Sequence, residues 1–340
     1  MKKALFIGGT GTISSYITRL VARTPGWELY LINRGNRPDA VPEGVKVIKA
    51  DISDEADVAV KLEGMSFDCV CEFIGFVPAH VERDFRLFAG RTKQYMFIST
   101  ASAYQKPSLN LVVNEATPLA NPFWQYSRDK IACEDFLMGK YRSEGYPVTI
   151  IRPGHTFDER KLPTAVHGAI GSWEVARRML AGKKVIVHGD GSSTWTLTHS
   201  SDFARAFVGL MGNPHAIGNA YQITSDETMT WDQIYGTVAE ALGVEYRPCH
   251  VPTDLLASAG RQYDLNGCLN GDKAVAVMYD NSKLKNAVPG FHTEISMAEG
   301  LRSTVEYILA HPEYQKPDPE FDSWCDSVVE VMEEAAGKLL

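Results

Sequence analysis

Several things are scarce or missing in this chain of 340 residues. No long apolar run opens it: the stretch after Lys2 and Lys3 breaks at Gly8-Gly9, too short for the core of a signal peptide and far short of a membrane span. The expectation is a cytoplasmic protein without membrane attachment. Cysteine is sparse, with six residues scattered at 69, 71, 133, 249, 268 and 325. They make no C-x-x-C pair and no Cys/His cluster at zinc spacing, so they read as reduced structural thiols and no metal site is expected. Basic residues are in deficit, 34 against 42 acidic, for a formal charge of −8. Nucleic-acid binders carry a basic face, so the balance argues against such a partner. Internal repeats, low-complexity tracts and long linkers are also absent.

What is present is an ordinary globular composition, 44% hydrophobic and 22% charged. Apolar runs of β character at 3–8, 28–32, 45–48, 67–73, 94–99 and 148–152 alternate with helical patterns, notably 13–22, 55–61 and 81–88. Such alternation predicts an α/β fold, a parallel sheet covered on both faces by helices.

The first strand runs into Gly8-Gly9-Thr10-Gly11-Thr12-Ile13-Ser14 and then a helix. Glycines there let a backbone approach a pyrophosphate, while the helix N-terminus offers amides and the positive end of its dipole. Ser14 stands where a G-x-x-G-x-x-G turn would have its last glycine, and a small residue still permits close helix-to-strand packing. At the end of the second strand a carboxylate would accept from a ribose 2′-hydroxyl, whereas an arginine would attract a 2′-phosphate. Asn33 and Arg34 stand there, which tilts the cofactor, NAD(P), towards NADP; with Arg34 a merely solvated loop residue, NAD binds instead. Asp51 and Ile52, after the third strand, are candidates to hold and sandwich the adenine.

Hydroxyls gather at the end of the fifth strand, in Ser99, Thr100, Ser102 and Tyr104. Beyond them Tyr126 and Lys130 are four residues apart, which on a helix places both on one face, one turn apart. A nearby ammonium favours a phenolate, so Tyr126 is expected to act as acid or base nearer neutral pH than its ordinary pKa of about 10 allows.

Following a glycine turn and a hydroxyl-bearing strand end, this Y-x-x-x-K resembles the extended short-chain dehydrogenase/reductases of the NAD-dependent epimerase/dehydratase family. The likeness extends to 148–154 (VTIIRPG), to His188-Gly189-Asp190-Gly191, to 198–206 (THSSDFARA) and to Asn281-Ser282-Lys283. More narrowly, Gly271-Asp272-Lys273 with 279–285 (YDNSKLK) is similar to the chloroplast stem-loop-binding proteins and their bacterial relatives. The resemblance implies a Rossmann-type doubly wound parallel sheet with a smaller C-terminal substrate-binding portion. It implies a dinucleotide-binding domain at 1–153 to which 200–232 return, a substrate-binding portion at 154–199 and 233–310, and a helical tail at 311–340 that ends solvated. It also implies a homodimer through helices beside the Tyr126 helix. In roles, it makes Thr100 the hydroxyl that holds the substrate oxygen, Tyr126 the proton acceptor or donor, and Lys130 the contact to the nicotinamide ribose. Gly8, Gly9, Thr10, Gly11, Thr12 and Ile13 would hold the pyrophosphate.

Nucleotide-sugar members of that family commonly carry an arginine after the Gly-Asp-Gly turn, where it can pair with a diphosphate. This chain has Trp195 in that stretch. An indole cannot neutralise a phosphate but can stack on a sugar, which points to a smaller or less charged carbohydrate, or another small hydroxy or keto compound. Ser102, Trp124 and His155 complete the substrate-binding candidates, with His167, Trp173 and His199 read as packing or loop residues. Three functions stay open: an epimerase or dehydratase that recycles its cofactor, an NADPH-dependent reductase that consumes it, and a non-catalytic or RNA-binding protein on the same fold.

Overall fold

The apolar runs assemble into one parallel sheet in the computed structural model, which describes residues 1–36 and 40–338. Its seven strands are β1 (Lys2–Ile7), β2 (Trp27–Asn33), β3 (Lys46–Lys49), β4 (Cys69–Glu72), β5 (Tyr95–Ile98), β6 (Val148–Pro153) and β7 (Asn219–Ile223). Their order across the sheet is β7-β6-β5-β4-β1-β2-β3. The direction of winding reverses between β1 and β4, which opens a crevice at the carboxyl ends of those two strands.

Both faces of the sheet are covered, and β1 shows how. Ala4, Leu5, Phe6 and Ile7 are all fully buried. Strand alternation sends Ala4 and Phe6 into one core with Ile17 of α1 (Thr12–Arg23) and Phe203 and Phe207 of α6 (Ser200–Leu210). It sends Leu5 and Ile7 into the opposite core with Val58 of α2 (Glu55–Lys61), Val81 of α3 (Pro78–Phe88) and Leu137 of α4 (Gln125–Glu144). At roughly 25 cal/mol per Å² of apolar surface buried, such two-sided strands supply much of the driving force for the fold.

α4 carries Tyr126 and Lys130, so what fixes it matters. It begins where Asn121 Oδ1 accepts from the backbone N–H groups of Phe123 and Trp124, 3.1 Å each, and it ends at Gly145 in the left-handed region, φ 68°. On its inward face Glu134 receives Arg152 Nη2 of β6 at 2.6 Å and Ser99 Oγ at 2.5 Å, an ion pair with both partners under 10% exposed. Removing one partner would strand a buried charge at a cost of about 3–5 kcal/mol.

A second core lies beyond the sheet and contains Trp195, Trp231, Tyr235, Leu269, Leu301 and Phe321. It is built mainly from α5 (Trp173–Leu180), α7 (Trp231–Leu242), α8 (Thr253–Ala259) and α10 (Met297–Ala310). The chain crosses between the two bodies more often than the sequence suggests. Trp231 joins the second core, whereas Leu284 of α9 (Ser282–Ala287) and Phe291 pack on the sheet side. α11 (Pro319–Gly337) buries Phe321 and Cys325 and is tied down at Asp326, which receives Arg178 Nη1 at 2.8 Å and Lys183 Nζ at 2.7 Å. From Glu333 to Gly337 every residue of α11 is exposed.

Among the described residues no helix is long and apolar enough to cross a membrane, and no group of three or more His, Cys, Asp or Glu side chains is placed to hold a metal ion.

Candidate active site

The glycine turn fills the crevice at the end of β1. Gly8 has φ 85°, and a Cβ there would stand 2.6 Å from Ile74 Cγ2. Gly9 is packed as tightly, with Leu31 Cδ2 2.6 Å from where its Cβ would be. Ser14 does what a third glycine could not: its hydroxyl donates to Gly8 O at 2.7 Å and accepts from Gly11 N at 2.8 Å. The turn is thereby braced against its own helix, with Thr18 Oγ1 donating to Gly9 O at 2.7 Å. A cavity of about 860 Å³ starts here, where Gly8, Thr10, Gly11, Thr12 and Ile13 line it, while Gly9 is turned into the packing.

At one end the cavity is walled by Asn33, Arg34, Asp51 and Ile52. Asn33 Oδ1 accepts from Gly35 N at 2.9 Å, which shapes the loop after β2. The Asp51 carboxyl is held below the usual range by hydrogen bonds from the Ser53 hydroxyl and backbone, with a smaller contribution from the nearby Arg34 guanidinium. Ile52 is buried.

The other end holds Ser99, Tyr126, Lys130 and Pro153. Lys130 is 1% exposed, and its ammonium donates to Gly75 O and Ile98 O, 2.7 Å each. Burial pulls its pKa down to about 8. Burial raises the half-buried Tyr126 phenol to about 12, against which a hydrogen bond with the Thr100 side chain pulls downward and Asp272 adds to the rise. This corrects the expected lowering of the phenol by the lysine. The i, i+4 spacing does put both on one face, but the ammonium is turned to two carbonyls and stands 5.8 Å from the Tyr126 ring centroid. Thr100 Oγ1 continues into a hydroxyl chain, 2.9 Å to Ser102 Oγ and then 2.7 Å to Ser127 Oγ.

The expected substrate contacts divide. Trp124 lies over Tyr126, ring centroids 4.9 Å apart, with its indole N–H held by Asp264 at 2.8 Å. His155 follows Pro153 and Gly154 but is not among the residues that line the cavity. Ser102, 2% exposed, supports Thr100 from within the protein and has no face to offer a substrate. Trp195 is likewise 2% exposed and stacks on Trp231, ring planes 27° apart, which corrects its assignment as a sugar platform. It reaches the site only through its N–H, which donates to His155 Nδ1 at 3.1 Å. Trp173 lies in the second core, and His199 caps α6 through Ser201, 3.3 Å from its backbone N.

Sequence reasoning missed the segment after β4. Ile74, Phe76, His80 and Arg83 line the cavity, and Gly75 supplies a carbonyl to Lys130. A glycine closing an apolar strand at the sheet's carboxyl edge was the available signal.

Residues 4–224 match the model of the NAD dependent epimerase/dehydratase family. Among curated proteins, the chain is 25% identical over 266 residues to chloroplast stem-loop binding protein of 41 kDa b of Arabidopsis thaliana, covering 73% of this chain and 66% of that protein. It is 22% identical to a trifunctional UDP-glucose 4,6-dehydratase/UDP-4-keto-6-deoxy-D-glucose 3,5-epimerase/UDP-4-keto-L-rhamnose-reductase of the same plant, over 92% of this chain and 48% of that one. The chain therefore spans just under two thirds of the first relative and about half of the second. Among solved structures, dTDP-glucose 4,6-dehydratase from Bacillus anthracis in complex with NAD superposes with TM-score 0.74 at 18% identity, covering 93% of this chain and 99% of that one.

Proposed function

This chain belongs to the NAD-dependent epimerase/dehydratase family, and from that premise we propose that it is an NAD(P)-dependent enzyme working at a secondary alcohol or ketone of a sugar-like substrate. One observation carries the reading: a single cavity runs from the glycine turn to Tyr126 and Lys130. A dinucleotide fits that shape, because the absence of side chains at Gly8 and Gly9, where a Cβ would collide, lets the backbone and the N-terminus of α1 come close to a pyrophosphate. When bound, the cofactor supplies the hydride acceptor or donor.

The chain's own residues supply the rest. Tyr126 gives a proton to, or takes one from, the substrate oxygen, and Thr100 hydrogen-bonds that oxygen and orients it. Two of the three Lys130 donors are taken by Gly75 and Ile98, which leaves one for a ribose hydroxyl. With its pKa raised to about 12, Tyr126 holds its proton at neutral pH, the form that donates to a ketone oxygen. The reductive half of the chemistry is thus the one for which the protein is already set. Arg34 at the adenosine end, with no carboxylate at the end of β2, favours NADP and so supports a second reading, a reductase that consumes its cofactor. An RNA-binding role, which the name of one relative brings forward, has only that name in its favour, against the charge of −8.

Calorimetric titration with NAD and NADP, followed by assay of Tyr126→Phe on UDP-sugars and simple keto sugars, tests the proposal. Tyr126→Phe should keep its cofactor affinity and lose at least about a hundredfold in turnover. Absence of binding for both cofactors, or wild-type turnover in the variant, would overturn it.

A further inference from the structure

One thiol differs from the others in exposure and in company. Cys69, Cys71, Cys133, Cys249 and Cys325 are buried, whereas Cys268 is partly open to solvent. Its sulfur stands 2.8 Å from Lys273 Nζ and 3.7 Å from Ala165 O. Cys69 and Cys71 also touch, Sγ to Sγ at 3.6 Å, but both are fully buried in the sheet.

The backbone brings the amine to the sulfur. Asn266–Lys273 is a π-helical segment, whose wider turn bonds residue i to i+5, and Cys268 and Lys273 are five residues apart. The Lys273 carbonyl accepts from Trp231 Nε1 at 2.8 Å and is met by His188 Nε2 at 3.2 Å, which pins the base of the side chain. Among the described residues the sulfur is the one group within hydrogen-bond reach of the Lys273 amine. Burial pulls the Lys273 pKa down, but Cys268, Asp272 and Asp264 outweigh it and leave the pKa above the usual range, so the group is an ammonium at neutral pH.

The same segment reaches the catalytic end. Gly271 O accepts from Asn121 Nδ2 at 2.7 Å, and Asn121 Oδ1 receives the N–H groups that open α4. A Cβ at Gly271 would stand 2.8 Å from Trp124 Cβ, and Asp264, just before the segment, holds the Trp124 indole N–H at 2.8 Å. A change in the segment is therefore felt at the start of the helix that carries Tyr126.

We propose that Cys268 and Lys273 form a redox switch: a peroxide oxidises the thiolate, the sulfur then bonds to the lysine nitrogen, and the bridge stiffens the segment against α4. The thiolate is the form that reacts. In the first step sulfur attacks one peroxide oxygen, the O–O bond breaks as an S–O bond forms, and Lys273 gives its proton to the departing hydroxide. A sulfenic acid, a neutral amine and one water result. In the second step the amine attacks sulfur, an S–N bond forms, the S–O bond breaks, and the hydroxyl leaves as a second water with a proton from nitrogen. Sulfur has lost two electrons and the peroxide has gained two. Sulfenic acids condense with a nitrogen held close to them, and an added thiol reverses the product. The switch goes beyond the proposed function and does not rest on it.

The full chain is treated with hydrogen peroxide, the remaining thiols are alkylated, and the masses of the tryptic peptides are measured. The bridged peptide should be lighter by two hydrogens than the unmodified one, carry no alkyl group on Cys268, and stay uncut after Lys273, whose nitrogen is no longer free for trypsin. Dithiothreitol before alkylation should reverse all three. Lys273→Arg keeps the charge but holds its protons, so oxidation there should stop at a sulfenic acid that dimedone traps, and Cys268→Ser should give no bridge. Hydrogen exchange over 121–125 and 264–274 should slow in the bridged protein and recover with the thiol. The switch is overturned if wild-type Cys268 is trapped by dimedone as fully as in Lys273→Arg, or if it stays open to alkylation at peroxide doses that oxidise free cysteine. A bridge that leaves exchange unchanged overturns it too. The wild-type digest alone decides the bridge if the arginine variant does not fold. No readout here needs cofactor or turnover, so failure of the switch leaves the proposed function untouched.

Discussion

Replacing Lys130 by methionine keeps most of the side chain's length and removes its charge, which turns the burial of the ammonium into a measurable quantity. Lys130 has a pKa of about 8 in the fold against an ordinary lysine value of 10.5. At about 1.36 kcal/mol for each tenfold change in proton affinity, keeping this lysine charged inside the protein costs about 3 kcal/mol relative to the unfolded chain. The sign follows from counting protons. Below about pH 8 both states bind the proton and the cost is fully present. Between about 8 and 10.5 the unfolded state binds a proton that the folded state has shed, so stability rises with pH, and above 10.5 the cost is gone. Lys130→Met lacks this titration and has instead a pH-independent cost from leaving Gly75 O and Ile98 O without their donor. Urea unfolding of both proteins from pH 7 to 11 should show the wild type gaining about 3 kcal/mol on the variant. Other groups that titrate in this range do so in both proteins and cancel. Parallel stability curves would refute the burial of a charged lysine at this position, and with it the derivation of its remaining donor.

Three further outcomes are expected. Arg34→Ala should weaken NADP binding by about 1.5–3 kcal/mol and leave NAD nearly unchanged, as read by paired titrations; equal losses for both would remove the 2′-phosphate contact. Trp195→Ala should destabilise the fold by about 3–5 kcal/mol in urea because it empties a core position, whereas Trp124→Ala should chiefly raise KM; the opposite pattern would return Trp195 to the substrate. Gly9→Ala should lower cofactor affinity and stability together, since its Cβ would stand 2.6 Å from Leu31 Cδ2, and unchanged affinity by titration would show that the turn gives way more easily than its packing indicates.

The parts of this fold that were legible in the sequence are those that depend on neighbours in the chain. Helix 55–61 falls where its pattern placed it, and the expected strands appear with ends shifted by a few residues. The glycine turn and the Tyr126–Lys130 pair were legible for the same reason, since a turn and an i, i+4 spacing are local. What was not legible depends on distance. The direction in which the Lys130 ammonium points is set by carbonyls of Gly75 and Ile98, 55 and 32 residues away. Trp195 sits in a two-residue strand paired to Met229, and no periodicity over so short a run tells which face is buried. β7, the sheet's last strand, reaches its place beside β6 only after the chain has built part of the second body, so its alternation alone did not mark it as a member of the sheet.

The overall charge and the charge along the cavity lead to different conclusions, and both hold. A formal charge of −8 disfavours wrapping a polyanion, because the mean field over the surface repels it. A small anionic ligand in a crevice responds to the few charges that face it. Arg34 stands at one end of the cavity and the Lys130 ammonium at the other. The carboxylates close to this path are mostly engaged: Asp51 by Ser53, Glu134 by Arg152, and Asp264 by Trp124. In the proposed function the Arg34 guanidinium meets a 2′-phosphate and the Lys130 ammonium a ribose hydroxyl, so a cation stands at each end of the path, which is why NAD and NADP are the ligands to titrate first.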